Sequence, residues 1–138
     1  MQGHLIKAEK IEKIKEYLKE DPNVLFALLF GSTASAFDKG AFATDALIKA
    51  EDIDIGIYFK APPEGLELLE YINNISNLVN ENIDLVVLNR ASPFLRHQIM
   101  KNRIVLVIKD RIAYRNFREK TISDYQEYRY ISGMDRYA

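Results

Sequence analysis

Two apolar runs in this chain carry aspartate where a strand that packs into a core has little use for it. Ile53, Ile55, Ile57 and Phe59 alternate with Asp52, Asp54, Gly56 and Tyr58, and Asp84 interrupts Ile83-Asp84-Leu85-Val86-Val87-Leu88. Alternation with a period of two reads as a strand with one apolar face, so strands are expected over 52–59 and 83–88. Aspartates at i and i+2 then point the same way, with α-carbons roughly 6.5–7 Å apart. Asp84 stands among Ile, Leu and Val, where an unpaired buried charge would be costly. The chain therefore needs a sheet that gathers these carboxylates on one face and supplies something positive there.

The rest of the pattern supplies such a sheet. Residues 24–30 are an apolar run of strand length, expected to be buried on both faces, and the run stops at Gly31-Ser32. A helix is expected over 5–20 from Ile6, Ile11, Ile14 and Leu18, ended by Asp21-Pro22. Ser32 to Ala36 can open a short helix with Ser32 near its N-cap; Lys39-Gly40 reads as a turn, and 42–50 as loop or a second short helix. Pro63 suits a helix start with Glu64 in the first turn, and Leu68, Leu69, Ile72, Ile75 and Val79 stripe a helix over 64–80. Ser92-Pro93 opens another helix, with serine as N-cap, carrying Leu95, Ile99 and Met100. A last short strand is expected over 104–108, then an amphipathic helix over about 110–130 with Tyr114, Phe117, Thr121, Tyr125 and Tyr128 on one face. The order is α-β-α-β-α-β-α-β-α. It predicts an α/β (α+β) fold: a small mixed sheet with helices mainly on one face.

Composition narrows the function. At 138 residues and 48% hydrophobic, the chain is expected to be one domain with one real core. A net charge of −1 gives no global positive field, so stable nucleic-acid binding is not expected. There is no cysteine, which removes disulfides, thiolate chemistry and cysteine-ligated zinc. The N-terminus is charged and lacks an apolar signal segment, and no apolar run is long enough to span a bilayer; a cytoplasmic setting is expected.

Three carboxylates close together raise one another's pKa, and a bound cation reverses that. All-oxygen donors suit Mg²⁺ or Mn²⁺. Glycine at a strand end lets backbone approach a ligand, and a following helix start aims N–H groups at an anion, with the Ser32 hydroxyl as one more donor. The metal ligands expected are Asp52, Asp54 and Asp84, and the triphosphate site Gly31 and Ser32. Together they describe nucleotidyl or phosphoryl transfer. The plainer readings are that Gly-Ser after a strand is a turn and that Asp-x-Asp lies on a solvated edge; the three elements in this order are more specific than any one. His4 reads as part of a loose N-terminus, His97 as lying on an exposed helix face, Lys39 and Lys49 as solvated, and the tyrosine stripe as packing.

Leu29-Phe30-Gly31-Ser32, then Asp52-Ile53-Asp54, then Asp84 resembles the minimal nucleotidyltransferases of the DNA polymerase beta superfamily. The segment from Asp84-Leu85-Val86-Val87-Leu88-Asn89-Arg90 through Ala91-Ser92-Pro93-Phe94-Leu95-Arg96, with the Tyr- and Arg-rich closing helix, is similar to MntA-type antitoxins of HEPN/MNT toxin–antitoxin pairs. The resemblance implies transfer of AMP from ATP, with two Mg²⁺ ions, to a tyrosine of a HEPN ribonuclease, and assembly with that partner or with itself. It implies that Gly31 and Ser32 bind the triphosphate, that Asp52 and Asp54 ligate both metals, and that Asp84 ligates the catalytic metal and helps deprotonate the acceptor. Nineteen residues separate Ser32 from Asp52, roughly twice the family's gap, and Thr33-Ala34 stand where a basic residue often follows Gly-Ser. Two other functions fit the residues: an antitoxin that neutralises by contact alone, and a nucleotidyltransferase for a small molecule, whose relatives normally carry an added substrate domain.

Overall fold

The computed structural model describes residues 5–36, 47–49 and 52–132. The elements run β1 (Leu5–Lys7), α1 (Ala8–Glu20), β2 (Val24–Phe30), α2 (Gly31–Ala36), β3 (Leu47–Lys49), β4 (Ile53–Phe59), α3 (Gly65–Val79), β5 (Ile83–Val87), a 3-10 turn (Leu88–Arg90), α4 (Pro93–Lys101), β6 (Ile104–Ile108) and α5 (Arg111–Ser132). Four strands form one mixed sheet in the order β5-β4-β2-β6. β4 and β5 are parallel, and β2 is antiparallel to both β4 and β6. β1 and β3 form a separate antiparallel pair.

β2 occupies the interior of the sheet because its side chains are apolar in both directions. Ala27 and Leu29 enter one core, with Ile53, Ile55 and Ile57 of β4; Ile11, Ile14 and Leu18 of α1 and Ile75 and Val79 of α3 cover it. Phe26 and Leu28 enter the other, under Ile99 and Met100 of α4 and Phe117 of α5. The mixed α/β sheet is as expected, but the helices, expected mainly on one face, divide between the two because β2 is apolar in both directions.

Several expectations are corrected at their edges. Leu5–Lys7 is strand, not the first turn of α1; Ile6 stands five residues before Ile11, off the helical stripe. Leu47–Lys49 is strand where loop or helix was expected. Lys39-Gly40 and most of 42–50 lie outside the described residues, as does His4. On α3, Leu68, Tyr71, Ile75 and Val79 make the packed stripe, while Leu69, one residue out of phase, is 56% exposed. Leu95 of α4 is likewise exposed. β5 ends at Val87, one residue early, because the chain turns there and the Asn89 side chain takes over: its amide accepts from Phe59 N–H at 2.9 Å and donates to Phe59 O at 2.8 Å.

The start of α4 is as expected. Ser92 Oγ accepts from Leu95 N–H at 3.2 Å, and proline sits in the first turn. Ser92→Ala is expected to destabilise the fold by about 1 kcal/mol, read as a lower urea midpoint at unchanged slope; an unchanged midpoint would mean that the cap contributes nothing. No helix among the described residues is long and apolar enough to cross a membrane.

Candidate active site

The site forms where β2 ends beside the start of β4. In register, Phe30 stands opposite Asp54, and Gly31 follows at once. Gly31 has φ +70 and turns the chain out of the strand into α2. Its missing side chain is filled by a neighbour: a Cβ there would lie 2.1 Å from Asp54 Oδ2. Backbone and carboxylate are thus pressed together, a closeness available only to glycine. Ser32, next in α2, is exposed.

β4 buries Ile53, Ile55, Ile57 and Phe59 in the α1–α3 core, so alternation turns Asp54, Gly56 and Tyr58 to the other face. The parallel pairing then decides where the third aspartate goes. Ile53 pairs with Ile83 and Asp54 with Asp84, so Asp84 shares the face of Asp54. The two carboxyls lie close enough for a protonated Asp54 to donate to Asp84. Asp54 is half-buried, and burial first, then the Asp84 charge and that hydrogen bond, then the Asp52 charge, raise its pKa from 3.8 to about 6. Asp52 lies in the bend before β4 and is exposed.

Asp84 itself is exposed, which corrects the view of it as a charge inside an apolar run. β5 is an edge strand, so its Asp84 face opens to solvent and the apolar neighbours Ile83, Leu85 and Val87 turn inward. The selection for a carboxylate here therefore does not come from avoiding a buried orphan charge. What the structure gives Asp84 is a place beside Asp54, in register on the neighbouring strand.

The residues fit a divalent cation by their chemistry. Two oxygen-only side chains side by side, one of them raised above its ordinary pKa by burial and then by its negative neighbours, are relieved by a positive ion between them. Among the described residues no group of three His, Cys, Asp or Glu side chains already encloses a metal position. Asp54 and Asp84 touch, and Asp52 acts on Asp54 through its charge.

The same sheet face holds a cavity of about 380 Å³ near Tyr58, Asn89, Arg96, Asn116 and Lys120. Tyr58 is four residues along β4 from Asp54, roughly 13 Å. Arg96 is engaged there: its Nε donates to Ala91 O at 3.1 Å and its guanidinium meets Asp124 at 2.9 Å. That bond, with the one from Lys120, holds the Asp124 carboxyl below its usual range. The pair ties α4 to α5. His97, expected on an exposed helix face, instead stacks on Tyr125 with ring centroids 3.6 Å apart. Tyr128 packs against Phe94 and Tyr125, so the tyrosine stripe serves packing as expected. One buried charge near the site carried no mark in the sequence: Glu81, in the connection that leads into β5.

Comparison with known proteins gives a family and a fold. The family described as Polymerase beta, Nucleotidyltransferase matches residues 12–112. No curated protein sequence matches the chain. Among solved structures, a toxin–antitoxin crystal structure with AMP-PNP is similar at TM-score 0.71 and 24% identity, over 93% of this chain and 98% of that one. A tri-AMPylated Shewanella oneidensis HEPN toxin in complex with MNT antitoxin is similar at TM-score 0.68 and 24% identity, over 94% of this chain and 98% of that one. The toxin–antitoxin MntA-HepT is similar at TM-score 0.67 and 23% identity, over 94% and 98%.

Proposed function

The chain belongs to the polymerase beta nucleotidyltransferase family, and from that premise we propose that it transfers AMP from ATP to a tyrosine hydroxyl of a HEPN toxin, acting as that toxin's antitoxin. The observation that carries the reading is the in-register contact of Asp54 with Asp84 directly against Gly31. The structures it resembles in fold, one with AMP-PNP and one with an AMPylated HEPN toxin, support the choice of nucleotide and acceptor.

In this reading the Gly31 backbone and the Ser32 hydroxyl face the triphosphate. Asp52, Asp54 and Asp84 would hold Mg²⁺, and Asp84 would also receive the proton of the incoming hydroxyl. The acceptor oxygen bonds to the α-phosphorus as the bond to the bridging oxygen of pyrophosphate breaks, and pyrophosphate leaves. Bound Mg²⁺ supplies charge neutralisation on the nucleotide and a lower pKa for the attacking hydroxyl. The ordinary carboxylate chemistry of the site does the rest: Asp54 cannot remain protonated beside a cation, and Asp84 is open to solvent for proton exchange. The cytoplasm, which supplies ATP and Mg²⁺, is the compartment proposed.

The test is direct. The chain, Mg²⁺ and α-labelled ATP are incubated with a HEPN protein that the chain binds. Label is expected on a tyrosine of that protein and is expected to vanish with chelator. A partner that is bound and neutralised yet never labelled would replace this reading with neutralisation by contact.

A further inference from the structure

Asp84 lies near the start of an edge strand, so among the described strands only β4 holds it from the side. The connection that delivers it is Asn80-Glu81-Asn82, which has no apolar side chain to bury. The connection is nonetheless tightly fixed. Asn80 adopts a left-handed conformation, φ 55, and caps α3 through its N–H to Ser76 O. Glu81 N–H donates to the same Ser76 O at 3.3 Å, and the Ser76 hydroxyl donates to Glu81 O at 2.5 Å. Asn82 O accepts from Ile53 N–H at 3.0 Å, the residue just before Asp54. The Glu81 carboxylate, its side chain 3% exposed, receives Lys10 Nζ of α1 at 2.5 Å.

A buried ion pair adds little net stability over apolar side chains of similar size. What it adds is a directional fix between two elements distant in sequence. We propose that the Lys10–Glu81 pair is a positioning device for the reaction. It anchors the α3–β5 connection to α1, and through the Asn82–Ile53 hydrogen bond it holds β4 and β5 in the register that brings Asp84 to Asp54. The inference rests on the nucleotidyl-transfer reading above. Lys10 and Glu81 touch no reacting group; they act through Asp84 and Asp54.

The test compares the whole chain with Glu81→Gln, Lys10→Met and the double variant, each with its HEPN partner, ATP and Mg²⁺. Turnover is expected to fall about tenfold or more in each single variant, as a small misplacement of a reacting group does, with KM for ATP within about twofold of wild type. The double variant is expected to lose no more than the worse single variant, because both changes remove one link. Amide hydrogen exchange gives a readout that needs no activity. The Ile53 N–H is expected to exchange faster in the variants while β2 amides such as Leu28 keep wild-type protection. Faster exchange across β2 in step with Ile53 would show that the pair serves global stability alone and would overturn the proposal. Unchanged turnover, or additive losses in the double variant, would also overturn it. If the wild-type chain labels no partner, the nucleotidyl-transfer reading fails, and exchange at Ile53 still decides whether the pair holds the two strands.

Discussion

Asp54→Asn is expected to lower AMP transfer by on the order of 10³-fold while making the metal-free protein more stable. The two effects have one origin. Asp54 is crowded by burial and by Asp84 and Asp52, and its folded pKa of about 6 stands above the unfolded value of 3.8. A carboxyl with a raised folded pKa binds more protons folded than unfolded between those values, so it weakens the fold as pH rises from 3.8 through about 6. Below 3.8 both states are protonated and the group contributes nothing; above about 6 the loss is complete. Because Asp54 is only half-buried and partly screened by solvent, its share is on the order of 1 kcal/mol. Asparagine keeps the size, keeps a hydrogen bond to Asp84 available and removes the charge. Urea unfolding in chelator at pH 5 and at pH 7.5 should show a smaller pH dependence and a higher midpoint at pH 7.5 in the variant. A variant that unfolds more easily at pH 7.5, or that still labels the partner at the wild-type rate, would refute the assignment of Asp54 as the crowded catalytic carboxylate.

The second large effect is expected at Gly31. Gly31→Ala meets two obstacles. The backbone at φ +70 is strained for an L residue by about 1–2 kcal/mol, and the new methyl would stand 2.1 Å from Asp54 Oδ2. The second falls on the site itself, because the methyl displaces the Asp54 side chain from its place beside Asp84. Transfer is expected to fall by about 100-fold or more, with a drop in stability beyond the backbone strain. Gly65→Ala separates the two contributions. Gly65 has φ +56 and nothing within 4 Å of its would-be Cβ, so it is expected to lose about 1 kcal/mol and no activity. If the two variants lose equal stability and Gly31→Ala keeps full transfer, the closeness of Gly31 to Asp54 plays no part in the reaction.

Much of this was legible in the residues, for reasons that differ by element. β2 and β6 are apolar runs bounded by Asn23 and Gly31 and by Arg103 and Lys109, and their limits agree with the expected ones. β4 announced both its identity and its facing through strict alternation. Ser92-Pro93 fixed the start of α4 because capping is a local interaction. β1 and β3 were not legible: a three-residue strand is defined by a ladder to a partner some forty residues away, and no local pattern encodes it. The exposure of Asp84 was misread because an apolar run does not reveal whether its strand lies inside the sheet or at its edge. The site residues were named from spacing. Their convergence depends on the parallel register of β4 and β5, and this in turn on the Asn80-Glu81-Asn82 connection, which looks in the sequence like any polar turn.

The edge position of β5 has a consequence of a different kind. Among the described residues no strand pairs with its outer side, and its sequence is Ile-Asp-Leu-Val-Val. A short apolar strand at a sheet's rim is a template on which a second molecule can add itself, strand upon strand, towards fibrils. Asp84 is the single charge that interrupts that template. The carboxylate proposed for phosphoryl chemistry therefore also stands as a gatekeeper against self-association.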